Sequence, residues 1–514
     1  ERPRSVVYNT DGCDMLYYPT NLALSAEGFC SLRLDWVKGT TIGTVSYCPL
    51  SSGFAHFTSL KAGDPFTGSV LSRPPSARNA TLEFKDKFGT DSLQMAIDFC
   101  RKENKEVFVG IRVNDTHDAS TSYGRYFFPP FKKAHPECLM GSVSNKPPFC
   151  SWTAVDFAQK AVRDHMRRFV REFVENYDVD GIEYDFMRHS QLFKSVAWGG
   201  TASAEECALM TQLMRDLRAI TEEAGRKRGR PILVVVRTPD SVPYSKAIGM
   251  DLEAWFSAKA ADIWVGGGYF QLEPWSRAVA FAKKHGVKFY ASIDETRIVN
   301  TAKRRKLPII PGRGSKAFYD ARFAAAMAAG CDGVYLFNFF EEEDTSSFAL
   351  SEDENGRAAL KNCFAERMAA AKDPLGLPRS TVHIGDSVSR YPIRLPAGAS
   401  YSLTYEKKQP SEKSKILVGC DIDLPISLAL NAKKENIYLQ NEETKAGFEY
   451  IPREKIRSTD FIYSPSQAAP FLKAAEIFLE EGYEDVVAGY VLSLPQLLSK
   501  ESRKDIPEEL ITLV

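Results

Sequence analysis

No apolar run in the sequence approaches the roughly 18 residues that a membrane-spanning helix needs, so no such span is expected. Nor is there a surplus of either charge: 66 Lys and Arg stand against 66 Asp and Glu, with a pI near 7.2. A broad cationic surface for nucleic acid is therefore not expected. The ten cysteines include no CxxC pair and form no dense framework, which excludes a small disulfide scaffold. Cys48, Cys100 and Cys331 lie in apolar runs and are expected as buried thiols, whereas Cys138 and Cys150 flank a loop at a spacing that permits a disulfide. No GxGxxG follows a strand-like run, and Gly266-Gly267-Gly268 opens no GK[ST] helix, so neither a dinucleotide site nor a phosphate loop is indicated. HxH, HExxH and zinc-type cysteine–histidine spacings were not found, and no metal or other cofactor is expected.

What the sequence does contain is alternation of two textures. Eight strand-like runs, Ser5–Asn9, Thr41–Tyr47, Glu106–Val113, Val179–Asp185, Ile232–Arg237, Ala261–Val265, Val287–Ile293 and Cys331–Asn338, are spread over the first two thirds of the chain. Most are separated by amphipathic helical patterns: Ser92–Glu103, Ala154–Tyr177, Ala204–Lys227, Asp251–Lys259, Trp275–His285 and Lys316–Ala329. Strands separated by helices pair in parallel through right-handed crossovers, and eight such units predict an α/β fold, a (β/α)8 TIM barrel. Asp373-Pro374-Leu375-Gly376-Leu377-Pro378 reads as a linker. Short alternating segments after it, such as Tyr401–Tyr405 and Ile426–Leu430, predict a smaller antiparallel β-sandwich. The expected domains are thus a barrel over residues 1–372 and an accessory β-sandwich over 379–514.

A barrel carries its chemistry at the C-terminal ends of its strands. There the sequence is dense in polar groups: Arg112, Asn114, Asp115, His117 and Asp118 after the third strand, and Glu183, Asp185, Arg188 and His189 on and after the fourth. Arg237 ends the fifth, Tyr269 follows the sixth, Asp294 and Glu295 end the seventh, and Asn338 ends the eighth. Glu183 and Asp185, two apart on a strand, share a face, and with the apolar set packed under the helices that face is the barrel axis. Carboxylates there are costly unless paired or hydrated; either they form a site, or Arg112 and Arg237 neutralise them in a buried ion network. Facing carboxylates across a barrel mouth are what glycoside hydrolysis requires, one protonating the leaving oxygen and the other attacking the anomeric carbon or activating water. Asp185 is assigned as nucleophile or base, Asp294 and Glu295 as sources of the acid, and Glu183 as the next candidate. Arg112, Asn114, Asp115, His117, Arg188, His189, Arg237, Tyr269, Asn338 and Trp152 are assigned to substrate. The aromatic-rich stretch from Ala119 to Trp152 either stacks on sugar rings or forms a satellite core under a loop.

Val7-Tyr8-Asn9-Thr10-Asp11-Gly12, the run from Ile111 to Asp118 and the run from Asp180 to His189 resemble the family-10-like glycoside hydrolase group of bacterial barrel proteins. The resemblance covers about residues 1–345 and implies a (β/α)8 fold and a polysaccharide or oligosaccharide substrate. Asp180 and Asp185 also partly match the Asp-Gly-x-x-x-Asp pattern of chitinase-like barrels, with Met187 where those place a catalytic Glu. The family's polysaccharide diet, with a chain that begins Glu1-Arg2-Pro3-Arg4 without a start methionine, makes a periplasmic or secreted protein the expectation. The expected function is hydrolysis of a complex, possibly anionic or sulfated polysaccharide. The alternatives are a non-catalytic glycan-binding barrel and a metal-dependent hydrolase or lyase using His117, His189 and carboxylates. Oligomeric state is left open.

Overall fold

All eight strand-like runs become strands of one closed parallel barrel. The structure is a computed structural model and describes residues 4–10, 14–49, 56–57, 64–65, 76–119, 128–187, 189–267, 275–294, 319, 323, 326–337, 339, 369 and 371–372. Its barrel strands are β1 (Val6–Thr10), β2 (Thr44–Tyr47), β3 (Glu106–Arg112), β4 (Gly181–Asp185), β5 (Leu233–Thr238), β6 (Ile263–Gly266), β7 (Lys288–Asp294) and β8 (Gly333–Phe337). They pair in chain order, and β8 closes on β1 with Val6 beside Val334 and Asn9 beside Phe337.

The chain divides into two compact units. The first, Glu1–Gly268 with Trp275–Asp294 and Ala329–Glu343, holds the barrel. The second comprises Tyr269–Pro274, Glu295–Ala328 and Asp344–Val514, and its described residues, 319, 323, 326–328, 369, 371 and 372, are all helical. The β-sandwich expected over 379–514 lies outside the described residues.

Parallel strands in a barrel are buried on both faces, which is why they read as near-continuous apolar runs. Val7, Phe108, Val235, Ile263, Val265, Tyr290, Tyr335 and Phe337 fill the interior as one cluster. The other parity, such as Tyr8, Val109, Tyr184, Val236 and Phe289, is buried too and faces outward, under the helices. Interior glycines make room for the large rings: a Cβ on Gly181 would lie 2.6 Å from the Phe108 ring. The helices α1 (Ser92–Lys102), α2 (Lys160–Asn176), α3 (Ala204–Arg228) and α4 (Trp275–His285) fall where the periodicity places them. Asp91 caps α1 by accepting the Gln94 N–H, and Ser203 with Glu206 forms a capping box on α3, which ends at Gly229 with φ of 72°. The N-terminus of α2 is six residues later than the expected Ala154, because Ala154, Val155 and Asp156 bond to Met140, Asn114 and Cys138 instead.

The N-terminal end of the barrel carries a recurring device that the sequence reading missed. An aspartate directly before every second strand from β4 on binds one residue of the preceding strand twice. Asp180, Asp262 and Asp332 each donate their backbone N–H to the carbonyl of Val107, Val234 and Phe289. Each then accepts that same residue's N–H on its carboxylate, at 2.9, 2.8 and 3.0 Å. Basic side chains complete the set: Arg101 and Arg230 on Asp180, Arg218 on Asp262 and Lys288 on Asp332. Asp180, which matches part of the chitinase-like pattern, serves here as a strand clasp, at the end of the barrel where stability rather than catalysis is served.

Cys138 and Cys150 are not joined. Both are thiols, Cys138 beside Glu137 and Cys150 packed with Met140, Ala154 and Ala197.

Candidate active site at the barrel mouth

Strand register sets the geometry. Arg112, Asp185 and Arg237 are Cα partners across β3, β4 and β5, so two guanidinium-bearing residues flank one carboxylate at a single level of the barrel. One step deeper, Gly110, Glu183 and Val235 are partners, and the missing side chain at Gly110 leaves space beside Ser46 and Asn9.

Asp185 is buried and takes Arg237 Nη1 on both oxygens at 3.1 Å, while Oδ1 also accepts the Met187 N–H at 2.9 Å. Arg237 packs in turn on two rings of β8: its guanidinium lies 4.2 Å from the Phe337 ring centre and 5.5 Å from that of Tyr335. Cation–π contact in a desolvated interior holds that plane in place. The part of the expected network that involves Asp185 and Arg237 is present, whereas Arg112 turns to Asp115 at 3.1 Å.

Glu183 is completely buried. The Tyr335 hydroxyl donates to its Oε1 at 2.6 Å from across the barrel, and Asn9 donates more weakly at 3.5 Å. Burial, reinforced by the charge of Asp185, pushes the Glu183 carboxyl up to about 7. The two acids of β4 therefore stand in different environments, Asp185 against an arginine and Glu183 fully buried beneath a tyrosine hydroxyl. Burial of this kind is how enzymes keep a carboxyl protonated near neutral pH. Tyr335, Asn9, Ser46 and Phe337 were not among the expected site residues; inward parity on β1, β2 and β8 is the signal that marks them.

The loop after β3 builds a second group. Asp115 is fully buried and accepts three contacts: His117 Nδ1 at 2.5 Å, the His117 backbone N–H at 2.8 Å, and Arg112. Burial opposes its ionisation, but the charge and hydrogen bond of His117, with Arg112 and His189, hold it well below the ordinary carboxylate range. With Nδ1 turned to the carboxylate, the remaining nitrogen of the one-third-exposed His117 ring is the one available to a ligand. The His189 ring stands edge-on at 5.6 Å, and its Nδ1 accepts the Thr116 N–H at 3.3 Å. His189 has φ of 77°, a left-handed conformation rare outside glycine, and such outliers cluster at functional sites.

Other expected residues are placed differently. Asn114 uses its whole amide on backbone, donating to the Val155 and Gln191 carbonyls and accepting the Val155 N–H, so it clasps loops together. Trp152 stacks on Phe128 with ring centres 5.6 Å apart, and Phe131 stacks on His165 at 4.3 Å; the described aromatics of this loop pack on protein. Lys132, fully buried, ties the loop down through Asp118 at 2.6 Å and the Asp115 carbonyl. Asp294 is described in its backbone, the β7 partner of Phe337. Glu295, Arg188, Tyr269 and Asn338 lie outside the described residues.

No family model matches the sequence, and no curated protein matches it. Solved structures of similar fold include the glycoside hydrolase domain of PgaB (BpsB) from Bordetella bronchiseptica, 12% identical over 71% of this chain and 99% of that one, with a TM-score of 0.41. A maltogenic α-amylase of Thermotoga neapolitana is 15% identical over 71% and 77%, with a TM-score of 0.35. α-L-Fucosidase isoenzyme 2 of Paenibacillus thiaminolyticus is 12% identical over 72% and 50%, with a TM-score of 0.37. All three are glycoside hydrolases by description; at such identities and TM-scores the likeness bears on neither the activity nor the substrate of this chain.

Proposed function

We propose that this chain is a glycoside hydrolase that cleaves a complex polysaccharide or its oligosaccharides at the mouth of the barrel. One arrangement carries the reading: Asp185 at the C-terminal end of β4, held by Arg237, directly above the buried, tyrosine-capped Glu183. In this reading Asp185 attacks the anomeric carbon or takes the proton of the attacking water. The leaving oxygen receives its proton from the end of β7, where Asp294 and Glu295 are the assigned acids, and Glu183 is the next candidate. His117, oriented by Asp115, and His189 hold substrate hydroxyls. The resemblance to the family-10-like group supports a carbohydrate substrate, while the catalytic assignment rests on the residues themselves. An accessory β-sandwich over 379–514 and a periplasmic or secreted location complete the proposal.

The test is product release from neutral, uronic and sulfated polysaccharides by the wild-type chain, Asp185→Asn and Glu295→Gln. Release by the wild type that Asp185→Asn lowers by about 10³-fold or more would support the reading and name the substrate class. Release untouched by Asp185→Asn would remove the site assignment. Binding without release from any glycan would make the chain a carbohydrate-binding barrel.

A further inference from the structure

The loop between β3 and α2 holds a group of side chains that the proposed chemistry does not use. His135, Glu137 and Cys138 lie on one tight turn, and one ligand atom of each falls within 4.8 Å of the others. His135 Nδ1 is 3.1 Å from Glu137 Oε1, and Cys138 Sγ is 3.9 Å from the same oxygen. A tetrahedral zinc with bonds of about 2.0–2.3 Å needs ligand-to-ligand spacings of about 3.3–3.6 Å, so these two contacts need sub-ångström adjustment, and the His135–Cys138 spacing, within 4.8 Å, closes by about 1 Å or less through side-chain rotation.

The turn is already fixed. The Cys138 N–H bonds the His135 carbonyl, the Leu139 N–H bonds that of Pro136, and the Asp156 N–H bonds that of Cys138. Pro136 locks its own φ, and Leu139 pairs with Val155 as an isolated bridge. The His135 ring rests on Phe131 at 4.8 Å, and Lys194 Nζ donates to the Glu137 carbonyl. Ligands carried on a hydrogen-bonded turn with packed neighbours lose little freedom on binding.

We propose that His135, Glu137 and Cys138 bind a zinc ion that staples this loop. A nitrogen, a carboxylate oxygen and a sulfur suit zinc, and their mixture disfavours magnesium and calcium, which take oxygen alone. Charge balances as well, since a thiolate and a carboxylate neutralise a divalent cation. Three protein ligands leave a fourth position for water. The sequence reading passes over the set because His-Pro-Glu-Cys supplies all its ligands from four consecutive residues and none from a distant pair.

Zinc titration of the full-length chain, stripped with chelator and competed against a chromophoric chelator, tests this, with cobalt substitution as a second readout. Wild type is expected to bind one tight zinc and to show a sulfur-to-cobalt charge-transfer band. Cys138→Ser should abolish the band and weaken zinc binding by more than the about 100-fold that loss of an outer-shell partner costs. Cys150→Ser, outside the set, should leave both unchanged. If Cys138→Ser does not fold, the partly exposed His135→Gln carries the test, with the same weakening expected. No stoichiometric zinc in the wild type, a cobalt band that survives in Cys138→Ser, or zinc binding that His135→Gln leaves unweakened would overturn the proposal. These readouts are independent of glycan cleavage.

Discussion

Glu183 couples the site to stability through one proton. Its carboxyl is raised from 4.5 to about 7 by burial and by Asp185, so between these values the folded chain holds a proton that the unfolded chain releases. Stability is therefore lost as pH rises through that window, by about 3 kcal/mol in total from this group. Glu183→Gln keeps the shape and an acceptor for the Tyr335 hydroxyl but cannot ionise. Urea unfolding at pH 5 and pH 8 should show the wild type losing about 2.5 kcal/mol more than the variant between the two conditions. Equal losses would mean that Glu183 titrates as an ordinary carboxyl. Much of this group was legible: alternation put Glu183 and Asp185 inward, and Arg237 beside them. The environment that separates the two acids was not, because Tyr335 and Phe337 arrive from β8, some 150 residues away in sequence from Glu183.

At the scale of elements, the aspartate clasps make the strand starts more than a matter of β-propensity. Asp262 accepts the Val234 N–H at 2.8 Å and pairs with Arg218 at 2.5 Å, so Asp262→Ala removes an acceptor from a buried strand and a partner from an arginine. A loss of about 2–3 kcal/mol in chemical denaturation is expected, with turnover of any substrate unchanged, because the residue sits at the end of the barrel remote from the mouth. A loss below about 0.5 kcal/mol would reduce the clasp to surface decoration. The strands themselves were readable to within a few residues because burial on both faces leaves continuous apolar runs. The loop after β3 was not readable. Asn114 was read as a ligand for substrate and serves as a loop clasp, and the pattern that suggested a helix from Ala154 gives way to loop bonds that delay α2 to Lys160. In both cases the deciding partners are backbone groups, which sequence periodicity does not display.

At the scale of the whole molecule, closure joins the two most distant strands of the barrel. Val6, Tyr8 and Asn9 pair with Val334, Leu336 and Phe337, and β7 pairs with the other side of β8 from Tyr290 to Asp294. A closed barrel has no edges, whereas one lacking β8 leaves the backbone groups of β1 and β7 that β8 pairs with unpaired on two strand edges. Tyr335 and Phe337 leave with the same strand, removing the 2.6 Å hydrogen bond to Glu183 and both rings that pack on Arg237. A chain ended at Gly330 is therefore expected to be aggregated or to lack a cooperative unfolding transition. The full chain, refolded from denaturant, should gain its near-ultraviolet signal only together with protection of the β1 amides, since both wait for the slow, non-local pairing of β1 with β8. Hydrogen exchange during refolding checks this. Protection of β1 amides well before those of β8, or a monomeric and cooperatively folded 1–330 chain, would show that the barrel is held without its last strand.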